Sequence, residues 1–184
     1  MNEEQFRFIQ DMTREHRIKH KCMAYTYSDG QGLIELAKIF KPGHILELGT
    51  ALGYTACCLA AADGNCLVDT IEGDPEHVKI ARDNIVRLGL AGRIRVYEGD
   101  FIEVINTLPD YYDIIFFDGL APEPSFLLEL HRKLREEGAL ICANLHFAGS
   151  HTGEFLNDRS YWMPAGQLEG GATRAVVKTS TATG

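Results

Sequence analysis

The stretch Glu47-Leu48-Gly49-Thr50-Ala51-Leu52-Gly53-Tyr54-Thr55 carries the densest chemistry in the chain. It follows a short apolar run and opens a helical pattern, the context that a nucleotide-binding turn requires. Glycines at such a turn let backbone pass close to a ligand. A dinucleotide fingerprint, G-x-G-x-x-G, needs its middle glycine to make room for a pyrophosphate. Here Ala51 stands in that place and Tyr54 in the third. The turn is therefore unsuited to a pyrophosphate and, with Glu47 at its entrance, suited to a positively charged ligand. Taken alone, G-x-x-x-G is also what a plain tight β-α turn shows. Two further acids narrow the reading. Glu72 ends the next apolar run, where a carboxylate can accept both ribose hydroxyls of a nucleoside; its bland alternative is a solvated acid before a turn. Asp100, in Gly99-Asp100-Phe101, ends the third run and also reads as a helix cap, with Glu103 completing a capping box. One nucleoside lying across a sheet edge touches all three ends, so the three acids together say more than any one of them.

The elements that must position these residues alternate regularly. Strands are predicted over 44–48, 66–71, 93–98, 113–117 and 138–143, and helices over 54–62, 75–88, 102–108 and 124–135. Asp74 caps the second of those helices, Pro75 fills its first position and Gly89 follows its end. Repeated β-α units mean a parallel sheet wound on both faces. Ile114-Ile115-Phe116-Phe117 and Ala139-Leu140-Ile141-Cys142 are continuous apolar runs, as strands covered on both sides must be. Arg93 to Glu98 alternates instead and belongs at an edge, so the first strand is central and the third outermost, with ligands beyond the carboxyl ends. Ahead of this body lie an amphipathic helix from Glu3 to about His16, with Phe6, Ile9 and Met12 three apart, and a second helix that Lys41-Pro42-Gly43 ends. After it, Tyr161-Trp162-Met163 and Ala172 to Lys178 suggest two further strands in a hairpin, followed by a frayed tail from Thr179 to Gly184.

Bulk properties bound the function. At 184 residues the chain holds one ordinary domain, expected over 1–178 with residues 1–40 as a helical cover. Its 45% hydrophobic and 24% charged residues exclude a disordered chain. A net charge of −8 argues against a general phosphate-binding surface and so against nucleic acid. No apolar run reaches a membrane span and the start lacks a signal pattern, so a cytoplasmic protein is expected. The five cysteines, Cys22, Cys57, Cys58, Cys66 and Cys142, include an adjacent pair and no C-x-x-C, suggesting neither a disulfide framework nor a zinc site.

The glycine turn resembles motif I of the class I S-adenosylmethionine-dependent methyltransferases. Ser28-Asp29-Gly30-Gln31-Gly32-Leu33 ahead of it is similar to the entry helix of the catechol and caffeoyl-CoA O-methyltransferase group (O-methyltransferase family 3). Tyr112 to Asp118 resembles that group's fourth strand, and Ala143-Asn144-Leu145-His146 the segment after its fifth. The resemblance covers roughly residues 28–149. It implies a Rossmann-like, doubly wound, mostly parallel seven-stranded sheet of order 3-2-1-4-5-7-6 with helices on both faces. It also implies S-adenosylmethionine as cofactor, held by Ser28, Glu47, Gly49, Gly53, Tyr54, Thr55, Glu72, Asp100, Phe101 and Asp118, with Asp100 at the adenine amino group and Phe101 beside the ring. Methyl transfer to a hydroxyl of a small or medium-sized acceptor would follow, in a protein that often pairs as a homodimer.

Departures from the group are equally informative. Catechol-methylating members carry Asp-x-x-Lys at the fourth strand and Asp-Asn at the fifth. Here Gly119, Leu120 and Ala121 follow Asp118, and Ala143 precedes Asn144, so the lysine base and one metal ligand are missing. Asp118 and Asn144 alone would hold Mg²⁺ only weakly, with the substrate's help. Asp118 then becomes an orienting or proton-accepting group, or simply a helix-capping acid. His146 is a candidate base and His151 a lesser one, both equally readable as surface histidines. Tyr25, Tyr27, Tyr161 and Trp162 offer walls for an aromatic acceptor or plain packing. Three other functions stay open on these residues: a tRNA nucleoside methyltransferase, a nicotinamide-dependent oxidoreductase using Glu72, and a cofactor-binding module without catalysis.

Overall fold

The computed structural model describes residues 1–120 and 122–180, and the chain packs as two compact units, Met1–Leu108 and from Pro109 onward. In the first unit a 3-10 turn (Glu3–Phe6) leads into helix α1 (Arg7–His20) and then α2 (Gly30–Ile39). Strand β1 (His44–Leu48), helix α3 (Tyr54–Ala60), β2 (Leu67–Glu72), α4 (Pro75–Arg87), β3 (Ile94–Glu98) and α5 (Phe101–Ile105) follow. The second unit holds β4 (Tyr112–Phe117), α6 (Pro124–Lys133), β5 (Leu134–Cys142), α7 (Ser150–Asn157), β6 (Trp162–Leu168) and β7 (Thr173–Lys178). The strand order is β3-β2-β1-β4-β5-β7-β6, as the family resemblance implies.

Within the first unit β1, β2 and β3 pair in parallel, with Leu48 opposite Ile71 and Glu72 opposite Glu98. Their carboxyl ends therefore line up, carrying the chain's three conspicuous acids to one edge. Ile45, Leu46 and Leu48 are fully buried, whereas β3 alternates between buried and exposed positions, which is what an outer strand with one wet face shows. Within the second unit β4 and β5 pair in parallel and β7 runs antiparallel to both β5 and β6, so the expected hairpin is β6–β7.

Several boundaries moved for local reasons. Helix α1 runs four residues past the predicted end: its last turn carries Arg17, Lys19 and His20, cations that favour a helix C-terminus, and Lys21 closes it in the left-handed conformation at φ 53°. Strand β5 starts at Leu134, inside the predicted helix, because Leu134 pairs with Tyr112 before the register shifts toward Ile114. Helix α7 was not expected at all. Its Thr152 hydroxyl donates to Pro122 O at 2.9 Å and Leu156 is buried, contacts that sequence periodicity does not reveal. Of the tail, Thr179 donates its N–H to Tyr161 O at 2.9 Å, and residues 181–184 lie outside the described residues.

Helix α2 begins at a capped turn, with Asp29 Oδ1 accepting the Gly32 N–H at 2.9 Å. Its first residue, Gly30, sits where a β-carbon would stand 2.2 Å from the Tyr54 hydroxyl and 2.8 Å from its ring. That space lets Tyr54, at the start of α3, reach back and donate to Glu3 Oε1 at 2.7 Å, which holds the Glu3 carboxyl below its usual range. Gly30→Ala must displace the buried Tyr54, and overpacking of this kind costs about 1–3 kcal/mol. Denaturant unfolding will show that loss; Gly30→Ala unfolding like the parent would mean that Tyr54 moves aside freely.

Candidate active site

Directly after β1 the backbone turns through left-handed conformations at every second residue: Gly49 (φ 105°), Ala51 (φ 45°) and Gly53 (φ 97°). Glycine adopts these without steric cost, but an alanine there is strained by roughly 1–2 kcal/mol. The strain is held in place by Glu72. Its Oε2 accepts the Ala51 N–H at 2.8 Å and its Oε1 the Asp74 N–H at 3.0 Å. Gly49 and Thr50 also donate to Ile71 O at 3.0 and 3.3 Å, so the turn is stitched to the end of β2 by three backbone N–H groups. A carboxylate has about four lone-pair sites, so Glu72 keeps acceptor capacity after these two bonds.

Glu47, one residue before the end of β1, is fully buried. The Thr70 hydroxyl donates to its Oε2 at 2.5 Å, and Thr70 meets the Thr50 hydroxyl at the same distance. Glu47 Oε1 is buried with no hydrogen-bond partner. Burial pushes its carboxyl up to about 7, with the charge of Glu72 acting in the same direction and the Thr55 and Thr70 hydroxyls opposing. A buried carboxyl displaced in this way, with one oxygen unpartnered, makes Glu47 a candidate site residue.

At the end of β3, Gly99 donates to Glu72 O at 2.9 Å, and Asp100 caps α5 by accepting the Ile102 and Glu103 N–H groups at 2.8 and 3.4 Å. The capping reading of Asp100 is therefore real, and its second oxygen stays available to a ligand. Phe101 beside it is half-buried. The first unit thus brings together Glu47, Gly49, Gly53, Thr55, Glu72, Asp100 and Phe101 around adjoining strand ends. Two expected cofactor residues stand differently. Ser28 is exposed one residue ahead of the α2 cap, and Tyr54 is buried with its hydroxyl turned to Glu3. Sequence reasoning missed Thr70, although a threonine and Asp69 inside an otherwise apolar strand were the available signal; Asp69 Oδ2 accepts from His44 Nε2 at 2.8 Å.

In the second unit Asp118 follows β4 and Asn144 follows β5 in the left-handed conformation (φ 58°). Asn144 Nδ2 donates to Asp118 Oδ1 at 2.9 Å. The pair predicted from sequence is therefore in contact, joined as amide donor and carboxylate acceptor. Mg²⁺ requires near-octahedral oxygen coordination. One carboxylate already engaged by an amide N–H, beside the apolar Ala143, does not fit that demand. His146 lies on a short 3-10 turn, exposed, its ring 3.9 Å from that of Phe147. It lines a cleft of about 510 Å³ together with Ser150, Asn157, Glu169 and Arg174. His151 is exposed near Glu154, while Tyr27 and Trp162 are buried as packing residues and Tyr25 is exposed beneath the Arg17 guanidinium.

Against known proteins, the family model described as a methyltransferase domain matches residues 46–145. A protein of Mycobacterium sp. (strain JLS), provisionally named an O-methyltransferase, is 31% identical over 151 residues, covering 79% of this chain and 68% of that one. The catechol O-methyltransferase of Niastella koreensis is 32% identical over 122 residues, 64% of this chain and 55% of that protein. The crystal structure of a Bacillus cereus O-methyltransferase in complex with SAH superposes with a TM-score of 0.74 over 92% of this chain and 90% of that one, at 22% identity, a likeness of fold. The matched span begins inside β1 and takes in the glycine turn, Glu72, Asp100, Asp118 and Asn144, and on these grounds the chain belongs to the methyltransferase-domain family, among the S-adenosylmethionine-dependent class I O-methyltransferases of the catechol and caffeoyl-CoA type.

Proposed function

We propose that the protein moves a methyl group from S-adenosylmethionine to a hydroxyl of a small or medium-sized acceptor without using Mg²⁺. The observation that supports this most is the Glu72 carboxylate bridging the Ala51 and Asp74 N–H groups beside a fully buried Glu47 with an open oxygen. When bound, the cofactor supplies a methyl carbon on a sulfonium, whose departure as a neutral thioether needs no further activation. Glu72 offers its remaining lone pairs to the ribose hydroxyls, and Asp100 its free oxygen to the adenine amino group. Glu47 provides negative charge where the low dielectric strengthens attraction to a cation. The acceptor oxygen must lose its proton as the new bond to carbon forms. Asp118, fixed by Asn144, takes that proton or orients the hydroxyl, with His146 the second candidate base. Alignment and exclusion of water account for the remaining acceleration.

The family assignment removes the nicotinamide-dependent alternative. Our reading further treats the two units as one methyltransferase domain, acting in the cytoplasm as a homodimer through its N-terminal helix. No helix among the described residues is long and apolar enough to cross a membrane.

Calorimetric titration with S-adenosylhomocysteine tests the cofactor half. Binding is expected, unchanged when Mg²⁺ is added, and weakened about 10- to 100-fold in Glu72→Gln by the loss of hydrogen bonds to a charged acceptor. Absence of binding, or a requirement for Mg²⁺, overturns the reading. A turnover screen with catechol-like and other small hydroxyl acceptors then tests the transfer itself.

Glu47 makes a prediction of its own. Its folded-state carboxyl sits near 7 against 4.5 when unperturbed, so the folded protein holds a proton that the unfolded chain releases between those values. Stability from this group is complete below about pH 4.5 and is lost as pH rises through about 7, a difference of at most roughly 3 kcal/mol. Unfolding measured from pH 5 to 8 should fall more steeply in the parent than in Glu47→Gln. Binding of S-adenosylmethionine near pH 6 should release a proton in the parent alone, visible as a dependence of binding enthalpy on the buffer. Parallel behaviour of the two proteins would remove Glu47 from the cation site.

A further inference from the structure

Helix α1 ends at His20, and the left-handed Lys21 turns the chain so that Cys22 comes back toward the last turn of the helix, with the Lys21 N–H on Arg17 O at 2.8 Å. His16, one turn before that end, lies edge-on to His77 with ring centroids 5.3 Å apart. His77 is in the first turn of α4, fixed by Asp74, whose Oδ1 accepts the Glu76 and His77 N–H groups at 2.8 and 3.3 Å. The ligand atoms of His16, Cys22 and His77 all lie within 4.8 Å of one another. Three separate pieces of chain thus deliver two imidazoles and a thiol to one point.

Two further observations indicate that this point awaits a ligand. His77 is 4% exposed, and its Nε2 is buried without a hydrogen-bond partner, with Asp74 Oδ2 at 3.8 Å. Leaving a buried ring nitrogen unpaired costs about 1–3 kcal/mol, which coordination would recover. Its other nitrogen, Nδ1, stands 3.7 Å from Glu72 Oε1. Whichever ring nitrogen binds a metal, the other faces a carboxylate, the usual arrangement around a ligated histidine. Cys22 is also the only half-buried cysteine; Cys57, Cys58, Cys66 and Cys142 are buried.

We propose that His16, Cys22 and His77 form a Zn²⁺ site that ties the end of the N-terminal helix to the start of α4. Two nitrogens and a thiolate suit zinc better than a hard ion, and three protein ligands leave a fourth position for water. Zinc–nitrogen bonds of about 2.0–2.1 Å and zinc–sulfur bonds of about 2.3 Å put tetrahedral ligand atoms about 3.3–3.6 Å apart, so the cluster closes by roughly an ångström on loading. Coordination forms one bond from each ligand atom to zinc, and the Cys22 thiol gives up its proton to solvent. Glu72 and Asp74, whose carboxylates face the His77 ring at 3.7 and 3.8 Å, add attraction for a dication. Because Glu72 also grips the Ala51 turn, the ion fastens the helical cover to that turn.

The cysteine spacing gave no sign of such a site, since its ligands are 6 and 55 residues apart in the chain. Zinc titration of the metal-free, thiol-reduced protein, alongside the Co²⁺-substituted form, tests it. One equivalent of Zn²⁺ should bind and raise the melting temperature, as any ligand specific for the folded state does. Co²⁺ should show thiolate charge-transfer absorption and tetrahedral ligand-field bands. Cys22→Ser, which removes a half-buried sulfur, should fold normally, weaken zinc binding at least about tenfold and lose the charge-transfer band. A neighbouring group of His16, His20 and Glu76 also clusters within 4.8 Å, so Glu76→Gln is the control and should bind like the parent. The proposal fails if no stoichiometric binding occurs, if Cys22→Ser binds as tightly as the parent, or if Glu76→Gln rather than Cys22→Ser abolishes binding.

Discussion

The Glu72 carboxylate is the constraint on which the first unit's ligand end depends. A turn with an alanine in the left-handed region would relax if left alone, because a β-carbon there crowds the following carbonyl. Glu72 prevents this by accepting the Ala51 N–H with one oxygen and the Asp74 N–H with the other, joining the end of β1 to the start of α4. The same residue's main-chain carbonyl receives Gly99 at the end of β3. One side chain and its own backbone therefore connect three strand ends. The parallel register of β1, β2 and β3 makes that reach short enough for a single glutamate.

Beside it, Glu47 shows how the fold stores binding capacity. A carboxylate with no exposure and only threonine hydroxyls for company is costly to ionise, and one of its oxygens has no partner. Packing alone would favour an apolar residue here. In the function proposed for this protein, the cation of the cofactor recovers that cost. The second unit handles its polar pair in the opposite way: Asn144 Nδ2 donates directly to Asp118 Oδ1.

The architecture was largely legible in the chain because it follows from local periodicity. Continuous apolar runs identified β4 and the core of β5, alternation identified β3 as an edge, and the Asp74-Pro75 start and Gly89 stop delimited α4 to within a residue. The glycine turn with Glu72 and Asp100 was readable because parallel β-α units carry successive strand ends to the same side. Reading failed where long-range contacts outweighed local preference. Arg135, Glu136 and Glu137 look like a solvated helix end, yet the strand begins at Leu134, with an Arg135–Asp113 ion pair and Lys178 meeting Glu136. Helix α7, with a glycine inside it, owes its form to buried Thr152 and Leu156.

By itself the sequence determined the α/β winding, the central first strand and the outer third strand, since these follow from hydrophobic period and turn chemistry, while the full strand order and the family were legible through the resemblance that its motifs carry. Only the tertiary structure decided that Thr70 protects Glu47, that Tyr54 turns away to Glu3, and that His16, Cys22 and His77 converge. All but the His16–Cys22 approach join residues tens of positions apart, and they are set by side-chain packing between elements, a three-dimensional quantity that no one-dimensional period encodes.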